Sequence, residues 1–231
     1  MGAERQDATD EYGMPIIPAP GDTAARKRQA IIDAALAEFL AEGYSAASMD
    51  VITTRSGVSK ATIYKHFGSK ERLFLAVVSG VLPKTYADLT PPARALADAP
   101  DLRTALVRHA TELTRILLRP EIMLLRRLVI GEIDRFPQLG QLWYLVTYDM
   151  NNGPLVEMLT DLTAKGELHV PDPKLAVQQL VACTVGIPQL VHTFAPTTPV
   201  DDDELARTIG SGVDLFLARY GRPPGWHGPA A

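Results

Sequence analysis

The sequence predicts an all-α protein: a compact N-terminal unit of three short helices ahead of a larger helical domain. Apolar residues recur at helical spacing along most of the chain, and no stretch shows the sustained alternation of a half-buried strand. Cap and stop residues cut the first part into unusually short helices. The 231 residues are 46% hydrophobic, enough to bury real cores.

Residues 1–23 carry Gly13, Pro15, Pro18, Pro20 and Gly21 and no sustained period, which predicts a disordered arm. Helical period begins near Ala24, where Ile31, Ala35, Leu36, Phe39 and Leu40 share a stripe, and Gly43 closes the segment. Ser48 opens a second helix that Gly57 ends, Ser59 opens a third that runs to His66, and Ser69 precedes a fourth. Beyond Pro83 the elements lengthen. Asp101 caps a helix with the stripe Leu102, Leu106, His109, Leu113 and Ile116, stopped before Pro120. The next stripe is Ile122, Leu125, Val129, Ile133 and Phe136, ending at Pro137. A long segment from Gln138 to Lys165 is expected to bend at Gly153-Pro154. Asp172-Pro173 opens a helix to Phe194, and Asp201-Asp202-Asp203 opens a last one that ends at Gly221. The predicted domains are therefore a head over 24–72, a body over 73–221 and a loose tail over 222–231.

Composition narrows the function classes. The formal net charge is −4, yet residues 24–72 hold eight basic and five acidic side chains, so a +3 head sits on a −7 remainder. A basic head on an acidic body suits a protein that shows one face to phosphates. The single cysteine, Cys183, allows no internal disulfide, and the first residues lack the basic-then-apolar pattern of a secretory leader. No run supplies the roughly 20 uncharged apolar residues of a membrane span, and Leu180 to Phe194 is interrupted by Pro188, Gln189 and His192. These features predict a cytoplasmic protein with no membrane partner. No phosphate loop, nucleophile elbow or metal-ligand spacing is present, and the histidines are scattered at 66, 109, 169, 192 and 227. No enzyme activity, cofactor or metal is expected.

The informative stretch is Ser48 to Arg72. Gly57 stands where the backbone must reverse between two short helices, and glycine adopts a left-handed conformation without steric cost. Val51, Ile52 and Val58 are expected to pack those helices together. On a wheel of about 100° per residue, Ile63 and Phe67 point to the core and Ala61 and Lys65 to the opposite side, flanked by Thr62 and Tyr64. Ala61 is small enough for close approach to a base edge and can meet a thymine methyl. Lys65 reaches a guanine or a phosphate, and Thr62 and Tyr64 can donate to phosphates. Lys60 and His66 lie at the helix ends, and Lys70 with the N–H groups of the next helix can hold one more phosphate. Taken singly, Lys60 and Lys65 would be a solvated face, Tyr64 a half-buried packing residue and His66 an ordinary terminal histidine. Their joint placement behind Gly57 and Ser59 points to DNA.

GVSKATIYKHFGSKERLF resembles the helix-turn-helix of the TetR family of bacterial repressors, over about residues 24–78. The resemblance implies DNA contacts from Arg26, Arg28 and Ser48, and from Ser59, Lys60, Ala61, Thr62, Tyr64, Lys65, His66 and Lys70. LLRRLVIGEIDRFPQLGQLWY is similar to a C-terminal domain of AefR-like and AcrR-like members. The resemblance implies a homodimer, built from the last two helices of each copy, that binds a palindromic double-stranded operator and is released by a small-molecule effector. Apolar stripes on those helices agree: Leu180, Val181, Val185 and Ile187 on one, Leu205, Ile209, Val213, Phe216 and Tyr220 on the other, with Gly210 and Gly212 admitting a close neighbour. Candidate effector contacts are His109, Met123, Phe136, Trp143, Tyr144, Tyr148 and Met158, each also an ordinary core residue by its pattern. The rival readings are a helical dimeric interaction protein with a vestigial head and a small-molecule enzyme.

Overall fold

The computed structural model describes residues 9–10, 13–15, 22–87 and 101–221, without the side chains of 22–23, 85–87 and 148–151. The rest of the expected arm, the tail and the Tyr148 side chain lie outside the described residues. In chain order the helices are α1 (Asp22–Ala46), α2 (Met49–Ser56), α3 (Lys60–Phe67), α4 (Lys70–Ala87), α5 (Leu102–Leu117) and α6 (Pro120–Glu132). They continue with α7 (Pro137–Tyr144), α8 (Asn151–Ala164), α9 (Pro173–Val181), α10 (Ile187–Phe194) and α11 (Asp202–Tyr220). Two π-turns, Leu145–Met150 and Ala182–Gly186, join α7 to α8 and α9 to α10. Among the described residues there are isolated bridges but no strand.

Both π-turns lie just ahead of a proline. Pro154 and Pro188 have no N–H for the carbonyl four residues earlier, and their rings crowd it, so the backbone widens there. The bend expected at Gly153-Pro154 is thus a π-turn one helical turn upstream. The second segment, Pro173–Phe194, is long and apolar enough by length and composition to cross a membrane, at a mean hydropathy of 1.2.

The chain divides into two compact units, Met1–Thr85 with Leu124–Val146, and Tyr86–Met123 with Thr147–Ala231. The expected boundary at 72/73 does not coincide with this division. The first unit takes in most of α4 and borrows a segment from the middle of the sequence. Aromatic rings explain the borrowing. Phe74 of α4 lies 5.0 Å from both Phe39 and Tyr44, and Phe136, at the α6–α7 corner, lies 4.9 Å from Tyr44 and 5.4 Å from Phe74. The Tyr44 ring also carries the Lys70 ammonium at 5.0 Å and the Arg135 guanidinium at 4.5 Å. Ring pairs and cation–ring contacts of this kind add to the apolar burial. Part of the predicted arm belongs here too. Met14 is 1% exposed, and its N–H donates to the Asp10 carboxylate at 2.9 Å. Disorder was expected because the arm has no period, but a single buried side chain in a tight turn leaves no periodic trace.

The second unit has its own core from α5, α8, α9 and α11, including Leu106, Ala110, Leu159, Leu162, Val177, Ile209 and Val213. Arg103 pairs with Asp214 through two hydrogen bonds of 2.7 and 3.0 Å, and Arg115 with Asp202 at 2.8 Å, fastening α5 to α11. These pairs are exposed, so their contribution is small. The second unit also corrects the expected dimer contacts. Leu180, Leu205, Ile209, Val213 and Phe216 are 0–5% exposed and already packed inside this chain, so they have no surface left for a second copy. Val181 is half-buried, and Ile187 alone of that set is well exposed, at 59%. Gly212 likewise serves an internal contact. A Cβ there would stand 2.5 Å from the Cys183 carbonyl oxygen, so its bareness lets α11 meet the second π-turn.

Gly212→Ala is expected to destabilise the protein by about 1–3 kcal/mol, because the obstacle is backbone. Gly210→Ala faces only the Arg103 guanidinium tip at 3.9 Å and should instead stabilise by about 0.5–1 kcal/mol. Urea unfolding of the two variants beside the parent checks the opposite signs.

Candidate nucleic-acid interface

Short side-chain-to-backbone bonds build the α2–turn–α3 element. The Ser48 hydroxyl accepts from the Asp50 and Val51 amides, at 3.3 and 3.4 Å, and starts α2. Gly57 ends α2 in the left-handed region, at φ 65° and ψ 17°, as its place in the turn requires. Ser59 then caps α3, accepting from the Thr62 amide at 3.3 Å and bonding the Thr62 hydroxyl at 2.8 Å. Capping bonds of this type stabilise a helix start by about 1 kcal/mol. Ile52, Val58, Ile63 and Phe67 are buried beneath the turn, at 0–8% exposure. Val51 is not part of that packing, being 40% exposed. It lies about 100° around the helix from Ile52, on the side that α2 turns to solvent.

The outward side of α3 presents Ala61, Tyr64 and Lys65, all exposed, with Thr62 and His66 half-buried at its margins. Lys60 is exposed and forms an ion pair with Asp50 at 2.8 Å, a bond that raises the ammonium pKa above its ordinary value. Lys70 is more committed than the sequence suggests. Its ammonium donates to the Ser45 carbonyl at 3.1 Å, and burial, then the nearby Arg135 charge, lower its pKa. Ser48 and Ser59 are engaged as caps, and Arg26 is exposed at the start of α1. Arg28 is half-buried, and that burial lowers its pKa. Ala61, Tyr64 and Lys65 therefore face outward, Lys60 is paired with Asp50, and Lys70 is bonded to the Ser45 carbonyl.

Sequence reasoning missed Glu38. This α1 carboxylate is 6% exposed, accepts from the Ser48 amide at 3.0 Å and faces the Arg55 guanidinium at 3.8 Å. It ties α1 to both ends of α2. The available signal was its position beside Phe39 on the inward stripe, where a carboxylate must find partners.

Comparisons with known proteins follow the same division of the chain. A model of the AefR-like transcriptional repressor C-terminal domain matches residues 104–222, and one of the bacterial regulatory proteins of the tetR family matches residues 31–77. The chain belongs to the TetR family of bacterial transcriptional regulators. A solved structure assigned to that family, from Mesorhizobium loti MAFF303099, is similar at 34% identity and a TM-score of 0.79, covering 87% of this chain and all of that one. The flavonoid-responsive regulator FrrA covers the same shares at 27% identity and a TM-score of 0.65. The HTH-type transcriptional regulator Mb3439c of Mycobacterium bovis is 32% identical over 81% of this chain and 87% of its own. For three other curated TetR-like regulators the match spans only 24–40% of their length.

The candidate effector residues are divided between the two units. His109, Met123 and Met158 lie in the second unit, and Phe136, Trp143 and Tyr144 in the first. Phe136 is taken up by the aromatic cluster, Trp143 lies 5.8 Å from the Arg126 guanidinium, and Tyr144 is 49% exposed. Met158 is in the second unit's core, at 2%. The helical period had merged them because α6–α7 continues the body's apolar pattern while packing with the head.

Glu38→Ala should strand the Ser48 amide and cost about 1–3 kcal/mol, whereas Glu38→Gln keeps an acceptor and should cost less. Thermal melting followed by circular dichroism ranks the two variants.

Proposed function

We propose that this chain is a cytoplasmic, homodimeric repressor that binds a palindromic DNA operator through α3 and releases it when a small molecule binds the second unit. The observation that carries the reading is the outward side of α3. Two caps and a left-handed turn hold a short helix whose small, cationic and phenolic groups face solvent while Ile63 and Phe67 anchor it. A helix so held can lie in a major groove with Ala61 against a base edge, Lys65 on a base or phosphate, and Tyr64 on the backbone. Arg26, Arg28, Ser48, Ser59, Lys60, Thr62, His66 and Lys70 supply the flanking phosphate contacts. Lys60 exchanges Asp50 for a phosphate when it does so.

Two copies are needed to read two half-sites about 34–36 Å apart on one face of the duplex. Ile187, Leu190, Val191 and Phe194 of α10 are 42–77% exposed, and Ile187 and Val191 also line a cleft with Leu118, Pro188, Val200 and Leu205. Apolar side chains presented this way mark an association surface. The other side of the Pro173–Phe194 segment is packed against α11, so we read its apolar composition as core on one side and dimer interface on the other. Repression follows the domain described for residues 104–222, and effector release follows the family and the flavonoid response named for one structural relative. No enzymatic role is proposed.

Mobility-shift titrations against the DNA upstream of the protein's own gene should give binding that weakens steeply with salt, as counterion release requires. Lys65→Ala should lower specific affinity by about 1–3 kcal/mol and relax preference at one base position if it reads a base, whereas Lys70→Ala should weaken all sequences alike. Phe194→Asp should shift the protein from dimer to monomer in sedimentation analysis and abolish operator binding. A dimer that persists in that variant argues against the α10 interface.

A further inference from the structure

His109 is a buried group that neither the DNA interface nor the dimer surface uses. It is 7% exposed, and among the described residues its Nε2 is buried without a hydrogen-bond partner. Buried polar atoms are nearly always paired, so an orphan calls for an explanation. Its surroundings supply one. At about 100° per residue, Leu102, Ala105, Leu113 and Ile116 share its side of α5. Leu102 and Ala105 are packed with the second unit's core. Leu113 and Ile116, C-terminal to the imidazole, are half-buried, so the apolar wall is incompletely covered there.

We infer that His109 is the polar anchor of the effector site, and that its Nε2 hydrogen-bonds a hydroxyl or similar group on an otherwise apolar, uncharged molecule. This rests on the reading of the second unit as an effector-binding domain. The wall determines the class: aliphatic side chains take the body of the ligand, and one imidazole nitrogen fixes its orientation. Burial lowers the His109 pKa, outweighing the opposing field of Glu112, so the ring offers a neutral nitrogen. A buried anion would be costly there, because the ring supplies no fixed positive charge.

The test uses the full chain with two probes that differ only in a hydroxyl, 4-hexylphenol and hexylbenzene, titrated calorimetrically. The wild type is expected to bind the phenol about tenfold more tightly, the effect of one net hydrogen bond. His109→Leu should bind both alike, and His109→Gln should keep part of the preference. Unliganded His109→Leu should melt no lower than the wild type, since it replaces an unpartnered polar group with an apolar one of similar size. A wild type that binds neither probe or both equally, or a His109→Leu that keeps the preference, overturns the proposal. So does a His109→Leu that melts well below the wild type, because the imidazole would then be a satisfied structural group. Operator binding is measured separately. Hydroxyl preference without DNA binding supports this site and sinks the regulator reading, while DNA binding without the preference sinks the site alone.

Discussion

The rings around Tyr44 are the contact on which the head depends. α1 supplies Phe39 and Tyr44, α4 supplies Phe74, and Phe136 arrives from the α6–α7 corner more than sixty residues later. Lys70 and Arg135 lie against the same tyrosine, so its face is held by two cations as well as by rings. A helix-turn-helix of two eight-residue helices is too short to be stable alone, because helix nucleation is unfavourable and so few turns bury little area. Its stability comes from α1 and α4, and these in turn are clamped by the aromatic cluster. The α6–α7 corner is thereby a structural part of the DNA-binding unit.

The second unit solves a different problem. α5 contributes Ala105, Leu106 and Ala110 to the core it shares with α11 and buries His109 beside them, while Arg103, Thr104, Arg108, Glu112 and Arg115 stay exposed. The two π-turns and the bare Gly212 follow from the same crowding. Proline removes a backbone donor from each long segment, the backbone widens to accommodate it, and at the second widening α11 needs a residue without a side chain. The apolar residues of α10 then remain outside this core.

Much of the head was legible beforehand because its signals are local. Ser48, Gly57 and Ser59 act on groups within three residues of themselves, and Ile63 and Phe67 share one side of a helix too short for its period to drift. Glu38 and Arg135 were not legible as structural residues, since each finds its partners far along the chain. The dimer residues were misplaced for a related reason. An apolar stripe announces that it will be buried but not by what, and Leu205, Ile209, Val213 and Phe216 turned out to be covered by their own chain.

By itself, then, the sequence determined the helical class, the caps and turns of the DNA-binding element, and which side of α3 faces outward. All of these follow from hydrogen bonds and periodicity within a few residues. Tertiary structure alone decided that residues 124–146 group with the head, that the apolar stripe of α11 is covered by its own chain while the apolar residues of α10 are exposed, and that, among the described residues, the His109 nitrogen is enclosed without a partner. Burial is a property of what packs against a residue, and in this chain the packing partners are mostly remote in sequence.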